Sequence, residues 1–83
     1  MNITFRTAST LRRFLPPGAR NDTARIEVAE GATPLDVMKQ LGLPLRESYL
    51  VTLNGAALPK AARGTRRLAE NDDLAVMPPL RGG

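Results

Sequence analysis

The feature that most constrains the fold of this chain is one short amphipathic helical pattern among stretches that alternate. Thr33 is a good N-cap, Pro34 suits the first helical position and Gly42 suits the C-cap. The apolar stripe between them consists of Pro34, Val37, Met38 and Leu41. A helix over residues 34–41 is marginal alone in water, so we expect it to be held by packing on a sheet.

The rest of the chain supplies that sheet. Apolar and polar residues alternate as in half-buried strands, and Asn54-Gly55 is typical of a turn. The predicted strands cover residues 2–7, 24–28, 49–55 and 74–77, with a short edge strand near 66–68 and a turn of helix near 11–15. The first two strands should pair antiparallel. One helix on one face of a mixed four- to five-stranded sheet predicts an α+β roll.

Composition limits the chemistry available to the chain. Its 83 residues suffice for one domain and leave little room for a deep pocket. The absence of cysteine excludes disulfides, thiolate metal sites and a cysteine nucleophile. The absence of histidine removes the commonest general base and metal ligand. We therefore expect no metal site, no bound cofactor and no self-contained enzyme.

Charge and hydropathy bear on location and partners. The net charge of +4 comes from scattered basic residues, and the three aromatic residues fall in predicted strands or an apolar segment. No aromatic side chain is therefore free to stack on a base, so we expect neither a nucleic-acid partner nor association with a membrane. The first residues do not have the pattern of a signal peptide, and no apolar run could span a bilayer, so we expect a cytoplasmic protein.

The chain ends in PPLRGG, which is either a frayed terminus without function or a functional, accessible C-terminal carboxylate. Two prolines stiffen the backbone, and two glycines allow close approach of another protein. We accordingly divide the chain into a domain over residues 1–77 and a flexible Gly-Gly tail over residues 78–83.

Three stretches together resemble the MoaD/ThiS sulfur-carrier family, whose fold is the ubiquitin-like β-grasp. They are Thr33–Val37 at the helix start, Val51–Gly55 in the central strand and turn, and Leu68–Gly83 through the last strand and tail. In the turn before the last strand, the family usually has glycine at the position of Asn71. The resemblance spans nearly the whole chain.

The resemblance implies the reactive group. A MoeB/ThiF-type enzyme using ATP-Mg would adenylate the carboxylate of Gly83, and a persulfide sulfur donor would convert it to a thiocarboxylate. The tail that threads into the partner would consist of Pro78, Pro79, Leu80, Arg81 and Gly82. The sulfur acceptor would be the large subunit of molybdopterin synthase, favoured by the proline pair, or thiazole synthase. The free carrier should be a monomer.

A partner also needs a docking surface. Leu74 and Val76 should face the helix, as should Val51 and Leu53 on the central strand. The opposite face would then carry an apolar docking patch of Leu50, Thr52, Ala75 and Met77.

Two other functions remain open from the sequence. Leu80–Gly83 matches the Leu-Arg-Gly-Gly ending of ubiquitin, so the chain could instead be a protein modifier joined to lysines. It could also be a non-covalent β-grasp binding module that contacts RNA through Arg63, Arg66 and Arg67, in which case the tail would be irrelevant.

Overall fold

The computed structural model describes residues 1–79, in which a five-stranded mixed sheet packs against one α-helix. The strands are β1 (Asn2–Arg6), β2 (Thr23–Glu27), β3 (Leu50–Leu53), β4 (Ala56–Ala57) and β5 (Asp73–Met77). The helix is α1 (Pro34–Gln40), and Ser9–Phe14 and Lys60–Ala62 form 3-10 helices. The sheet order is β2-β1-β5-β3-β4; β1 and β5 run parallel and the other pairs antiparallel. The predicted α+β roll is confirmed.

The core lies between α1 and one face of the sheet. The largest fully buried side chains come from alternate strand positions and from the helix stripe: Phe5, Ile3, Leu74, Val37, Val51, Val76 and Pro34. The alternation read from the sequence therefore assigns the inward face correctly in β1, β3 and β5. Within residues 1–79, none of the helices has the length and hydrophobicity that a transmembrane segment needs.

A capping box starts α1 at the predicted residue. The Thr33 hydroxyl accepts from the Asp36 N–H at 3.3 Å, and the Asp36 carboxylate accepts from the Thr33 N–H at 3.0 Å. The hydrogen bond from the Thr33 backbone, followed by that with its side chain, lowers the pKa of Asp36. The helix ends at Gln40 with Leu41 as its C-cap, within one residue of the prediction.

The edge strand is where the sequence prediction was wrong. No strand forms at residues 66–68; the edge strand is Ala56–Ala57, paired with Leu53 and Thr52. Leu68 is buried for a different reason, because its N–H donates to the carbonyl of Ala32 and its side chain joins the core.

Candidate functional site

The candidate site begins at the C-terminal end of β5, which lies between β1 and β3 in the sheet. Leu74 and Val76 are fully buried. The Thr7 hydroxyl donates to the carbonyl of Val76 at 2.6 Å near that end. At the opposite end the Asn54 side chain accepts from the N–H of Asp73 at 2.8 Å. The strand that leads into the tail is therefore held at both ends and on both edges.

Pro78 and Pro79 follow β5 directly and are half-buried. Neither can donate a backbone hydrogen bond, so the ladder ends at Met77, as the sequence indicated. The remaining residues assigned to the tail, Leu80, Arg81, Gly82 and Gly83, lie outside the described residues. Their roles, and the division of the chain after residue 77, stay predictions.

The predicted docking patch shares one face of the sheet. Leu50 pairs with Met77 and Thr52 with Ala75 in the β3–β5 ladder, and directly paired residues point to the same side. Leu50 is 49% exposed, whereas Thr52 and Met77 are half-buried. The expectation that Ala75 is exposed was wrong, because the residue is only 8% exposed between its longer neighbours Arg6 on β1 and Thr52 on β3.

Beside this patch lies a charged area that the sequence analysis missed. Arg6 on β1 donates to both carboxylate oxygens of Asp73 at 2.9 Å. Arg25 on β2 donates to the side-chain carbonyl of Asn71 at 2.5 Å and lies 3.9 Å from a carboxylate oxygen of Glu70. The outer face thus has an ion-paired half over β2 and β1 and a less polar half over β3. The sequence does carry a signal for this charged area, namely charged residues at alternate, outward-facing positions of β1 and β2.

A surface groove of about 430 Å³ opens next to the end of the described chain. The first 3-10 helix contributes Leu11, Arg13 and Phe14 to its lining, and Glu47, Tyr49 and Pro79 complete most of the rest. No sequence pattern brought these segments together, because the groove depends on how the 3-10 helix and the connector before β3 pack.

Tyr49 is a buried residue that lines this groove. Its side chain is buried and its hydroxyl donates to the carbonyl of Pro44 at 2.6 Å. Burial is the main cause that raises the pKa of Tyr49; the charge of Glu47 raises it further and that of Arg13 opposes both. The groove therefore carries a carboxylate and a guanidinium close to one buried phenol.

The three arginines of the RNA-binding alternative differ in their environments. Arg63 is half-buried; its guanidinium donates to the carbonyl of Tyr49 at 2.6 Å, and its own carbonyl accepts from the N–H of Leu35. Arg66 and Arg67 are exposed. Arg63 thus forms hydrogen bonds within the domain, which weakens the hypothesis that it belongs to an RNA-binding surface of arginines. Over residues 1–79, no three acidic side chains come together as a metal site would require.

Comparison with known proteins gives consistent results. A model of the Mut7-C ubiquitin family matches residues 1–81. SAMP1 from Haloferax volcanii is 26% identical with a TM-score of 0.68, and 100% of each chain is covered. A chain from the complex of subunits 1 and 2 of the molybdopterin-converting factor of Helicobacter pylori is 15% identical with a TM-score of 0.60, again with 100% of each chain covered.

Urm1 from Trypanosoma brucei is 16% identical with a TM-score of 0.68, over 99% of this chain and 95% of that one. No curated protein matches. The matched structures are small β-grasp proteins, so the fold expected from the resemblance is confirmed.

Proposed function

Because the chain belongs to the Mut7-C ubiquitin family, we propose that it is a sulfur-carrier protein whose reactive group is the C-terminal carboxylate of Gly83. The observation that carries the proposal is the route of the chain into its tail. Strand β5, whose three central residues are buried and which is paired on both edges, ends in Pro78-Pro79, and Leu-Arg-Gly-Gly follows in the sequence. A strand that is hydrogen-bonded on both edges and ends beside the predicted docking patch suits a domain that delivers its terminus to another protein.

The proposed chemistry takes place in the partner enzyme. The Gly83 carboxylate attacks the α-phosphorus of ATP, and pyrophosphate leaves with the bonding electron pair. A persulfide anion on a sulfur-donor enzyme then attacks the acyl carbon and expels AMP. A second thiol reduces the resulting acyl disulfide, which releases the thiocarboxylate and leaves a disulfide on the donor side. The chain is therefore a co-substrate and binds no cofactor itself; ATP-Mg belongs to the MoeB/ThiF-type enzyme.

Among the sulfur-transfer pathways, we propose molybdopterin synthesis as the one in which the carrier acts. The proline pair before the tail supports this pathway, with the large subunit of molybdopterin synthase as sulfur acceptor. Thiazole synthase is the acceptor to test next. Sulfur transfer to purified acceptors distinguishes the two, since only the cognate one should consume the thiocarboxylate.

The direct test is the intact mass of the chain after incubation with a MoeB/ThiF-type enzyme, ATP-Mg and a persulfide donor. We expect a mass increase equal to the exchange of one oxygen for one sulfur, located on Gly83. A chain lacking Gly83 serves as the matched control and should keep its mass. An unchanged mass with an enzyme shown to be active on its own carrier would contradict the proposal.

A second function is protein modification, which is favoured by the likeness to SAMP1, a protein described as a small archaeal modifier. The acyl-adenylate of Gly83 would then acylate a lysine amine of a target protein, and AMP would leave. Peptide mapping of cell extract should find Gly-Gly remnants on lysines that disappear when Gly83 is deleted. Their absence, together with thiocarboxylate formation, leaves the carrier role alone.

A further inference from the structure

Strand β2 forms one edge of the sheet, and its hydrogen bonds to β1 show which of its backbone groups face outward. Val28 exchanges two hydrogen bonds with Met1, at 2.7 and 2.8 Å. In an antiparallel ladder such pairs recur at every second residue, so Ile26 and Ala24 also bond to β1. The residues between these positions point their N–H and C=O groups away from the sheet; they are Thr23, Arg25 and Glu27.

The two ends of this outer edge already have partners. Arg20 and Thr23 exchange hydrogen bonds at 2.9 and 3.0 Å, and the carbonyl of Glu27 accepts from the Gln40 side chain at 3.0 Å. Within residues 1–79, no hydrogen bond reaches the N–H or the carbonyl of Arg25 on this side, or the N–H of Glu27. A carbonyl oxygen has two lone pairs, so that of Glu27 can accept a second hydrogen bond. The middle of the edge therefore offers its donors and acceptors to another strand.

There is space beside these groups. A groove of about 470 Å³ borders the same edge, and its lining combines β2 residues with Pro17, Gln40 and Leu41. Pro17 and Gln40 are exposed, and Leu41 is half-buried. An open strand edge with unpaired backbone groups favours pairing with another chain.

The charges on the middle of the edge suit a second copy of β2. When two identical strands pair antiparallel about a two-fold axis at Ile26, Arg25 of each copy lies directly opposite Glu27 of the other. Each such pair exchanges two backbone hydrogen bonds and places opposite charges side by side, which stabilises a sheet. Both side chains are exposed, and within residues 1–79 the Glu27 carboxylate forms no salt bridge. A register centred on Arg25 would instead place two like charges opposite each other.

We propose that two copies of the chain pair through their β2 edges into one continuous sheet, with Arg25 of each copy beside Glu27 of the other. Only the middle of each edge pairs, so the dimer is weak and forms at high protein concentration. The dilute chain is then the monomer expected from the sequence. Because β1 separates β2 from β5 and β3, this pairing leaves the predicted docking patch uncovered. The two-fold axis places both patches on the same side of the joined sheet.

Sedimentation equilibrium over a range of protein concentrations tests the pairing. We expect wild type to shift from monomer towards dimer as the concentration rises. Arg25→Glu or Glu27→Arg alone should weaken the dimer about tenfold, because each puts like charges in both cross-strand pairs. An equimolar mixture of the two variants should dimerise as wild type does, because every carboxylate then faces a guanidinium. Unfolding in urea shows that each variant is folded under the conditions of the assay.

Glu47→Arg is the matched control, since it reverses an exposed charge in the connector before β3 and should leave dimerisation unchanged. A wild-type chain that stays monomeric at every concentration would overturn the proposal, and the charges on β2 would then only protect its edge. A mixture of Arg25→Glu and Glu27→Arg that is no more dimeric than either variant alone would exclude the proposed register.

A cysteine cross-link tests the register independently, because the chain has no cysteine of its own. Hydrogen-bonded partners across an antiparallel ladder lie about 5.5 Å apart at Cα, within the range that a disulfide spans. A mixture of Arg25→Cys and Glu27→Cys should therefore form a mixed disulfide faster than either variant cross-links alone. Arg25→Cys mixed with Glu47→Cys should not show this gain. Equal rates in the two mixtures would contradict the pairing of β2 with β2.

Discussion

Asn71 adopts the left-handed backbone region, with φ of 68°, in the turn that leads into β5. Asparagine tolerates this region better than most residues, although glycine tolerates it best. The side chain gives something that glycine lacks, since its carbonyl accepts the hydrogen bond from Arg25. The backbone N–H also donates to the carbonyl of Asn2 at 2.8 Å. The turn therefore combines a permissive backbone with a link between β2 and β5.

Substituting Asn71 separates these two contributions. Asn71→Ala and Asn71→Gly both lose the hydrogen bond to Arg25, but only alanine retains the cost of a positive φ. We expect Asn71→Ala to be less stable than Asn71→Gly by about 1 kcal/mol, measured as the free energy of unfolding in urea. Equal stabilities would mean that the alanine chain relaxes the turn.

Asp36 predicts a pH dependence of stability. Its pKa is lowered in the folded chain by the capping hydrogen bonds, so the carboxylate stabilises the fold above its ordinary pKa of 3.8. This contribution is lost as the pH falls through the lowered folded value. The free energy of unfolding of wild type should therefore exceed that of Asp36→Asn at neutral pH, and the gap should narrow in acid. Glu30→Gln, which removes a carboxylate outside the cap, should not reproduce the effect.

At the level of elements, the hairpin β3–β4 shows what the sequence could and could not predict. Asn54 and Gly55 both have positive φ, at 52° and 85°, which is the pattern of a type I′ hairpin turn. The Asn-Gly pair predicts a turn, but alanine has a low strand propensity, so the sequence does not predict a strand at Ala56–Ala57. Pairing with β3 overrides the weak propensity. The Asn-Gly turn between strands was the signal that could have located β4.

For the predicted docking patch, too, the sequence predicts one property, the shared face, but not another, the exposure of each side chain. Alternation predicted which side chains of β3 and β5 share the outer face, and the ladder bears this out. Exposure was not predictable for Ala75, because it depends on the size of the neighbours across two strands. The groove beside Pro79 was missed because it joins segments that are distant in sequence. The alternation of residues therefore predicts which side chains share a face of the sheet. The burial of each side chain and the position of grooves depend on how the elements pack together.

Leu50 and Leu45 form a matched pair for testing the patch. They are exposed to similar extents, 49% and 44%, but only Leu50 lies in the β3–β5 ladder. We expect Leu50→Glu to lower kcat/KM for adenylation by a MoeB/ThiF-type enzyme about tenfold, because a charge would replace the most exposed apolar side chain of the predicted patch. Leu45→Glu should have little effect. Pyrophosphate release measures both, and equal losses would argue against this docking face.

Across the whole molecule, stability and the proposed chemistry depend on different residues. The fully buried side chains lie between α1 and the sheet, whereas the proposed reactive group follows the two prolines after β5. A small domain has a narrow stability margin, so its core tolerates little change. The tail can vary without that constraint. Mutations in the core should therefore lower stability without changing the proposed chemistry, and mutations in the tail should do the reverse.

Ile3→Val and deletion of Gly82-Gly83 test this separation in opposite directions. Ile3 is fully buried, so removing one methylene should lower the free energy of unfolding by about 0.5–1.5 kcal/mol. Adenylation measured well below the unfolding transition should stay at the wild-type rate. The deletion should leave stability within about 0.5 kcal/mol of wild type and abolish adenylation. If the deletion instead keeps full function, the tail is irrelevant and a non-covalent binding module becomes the better description.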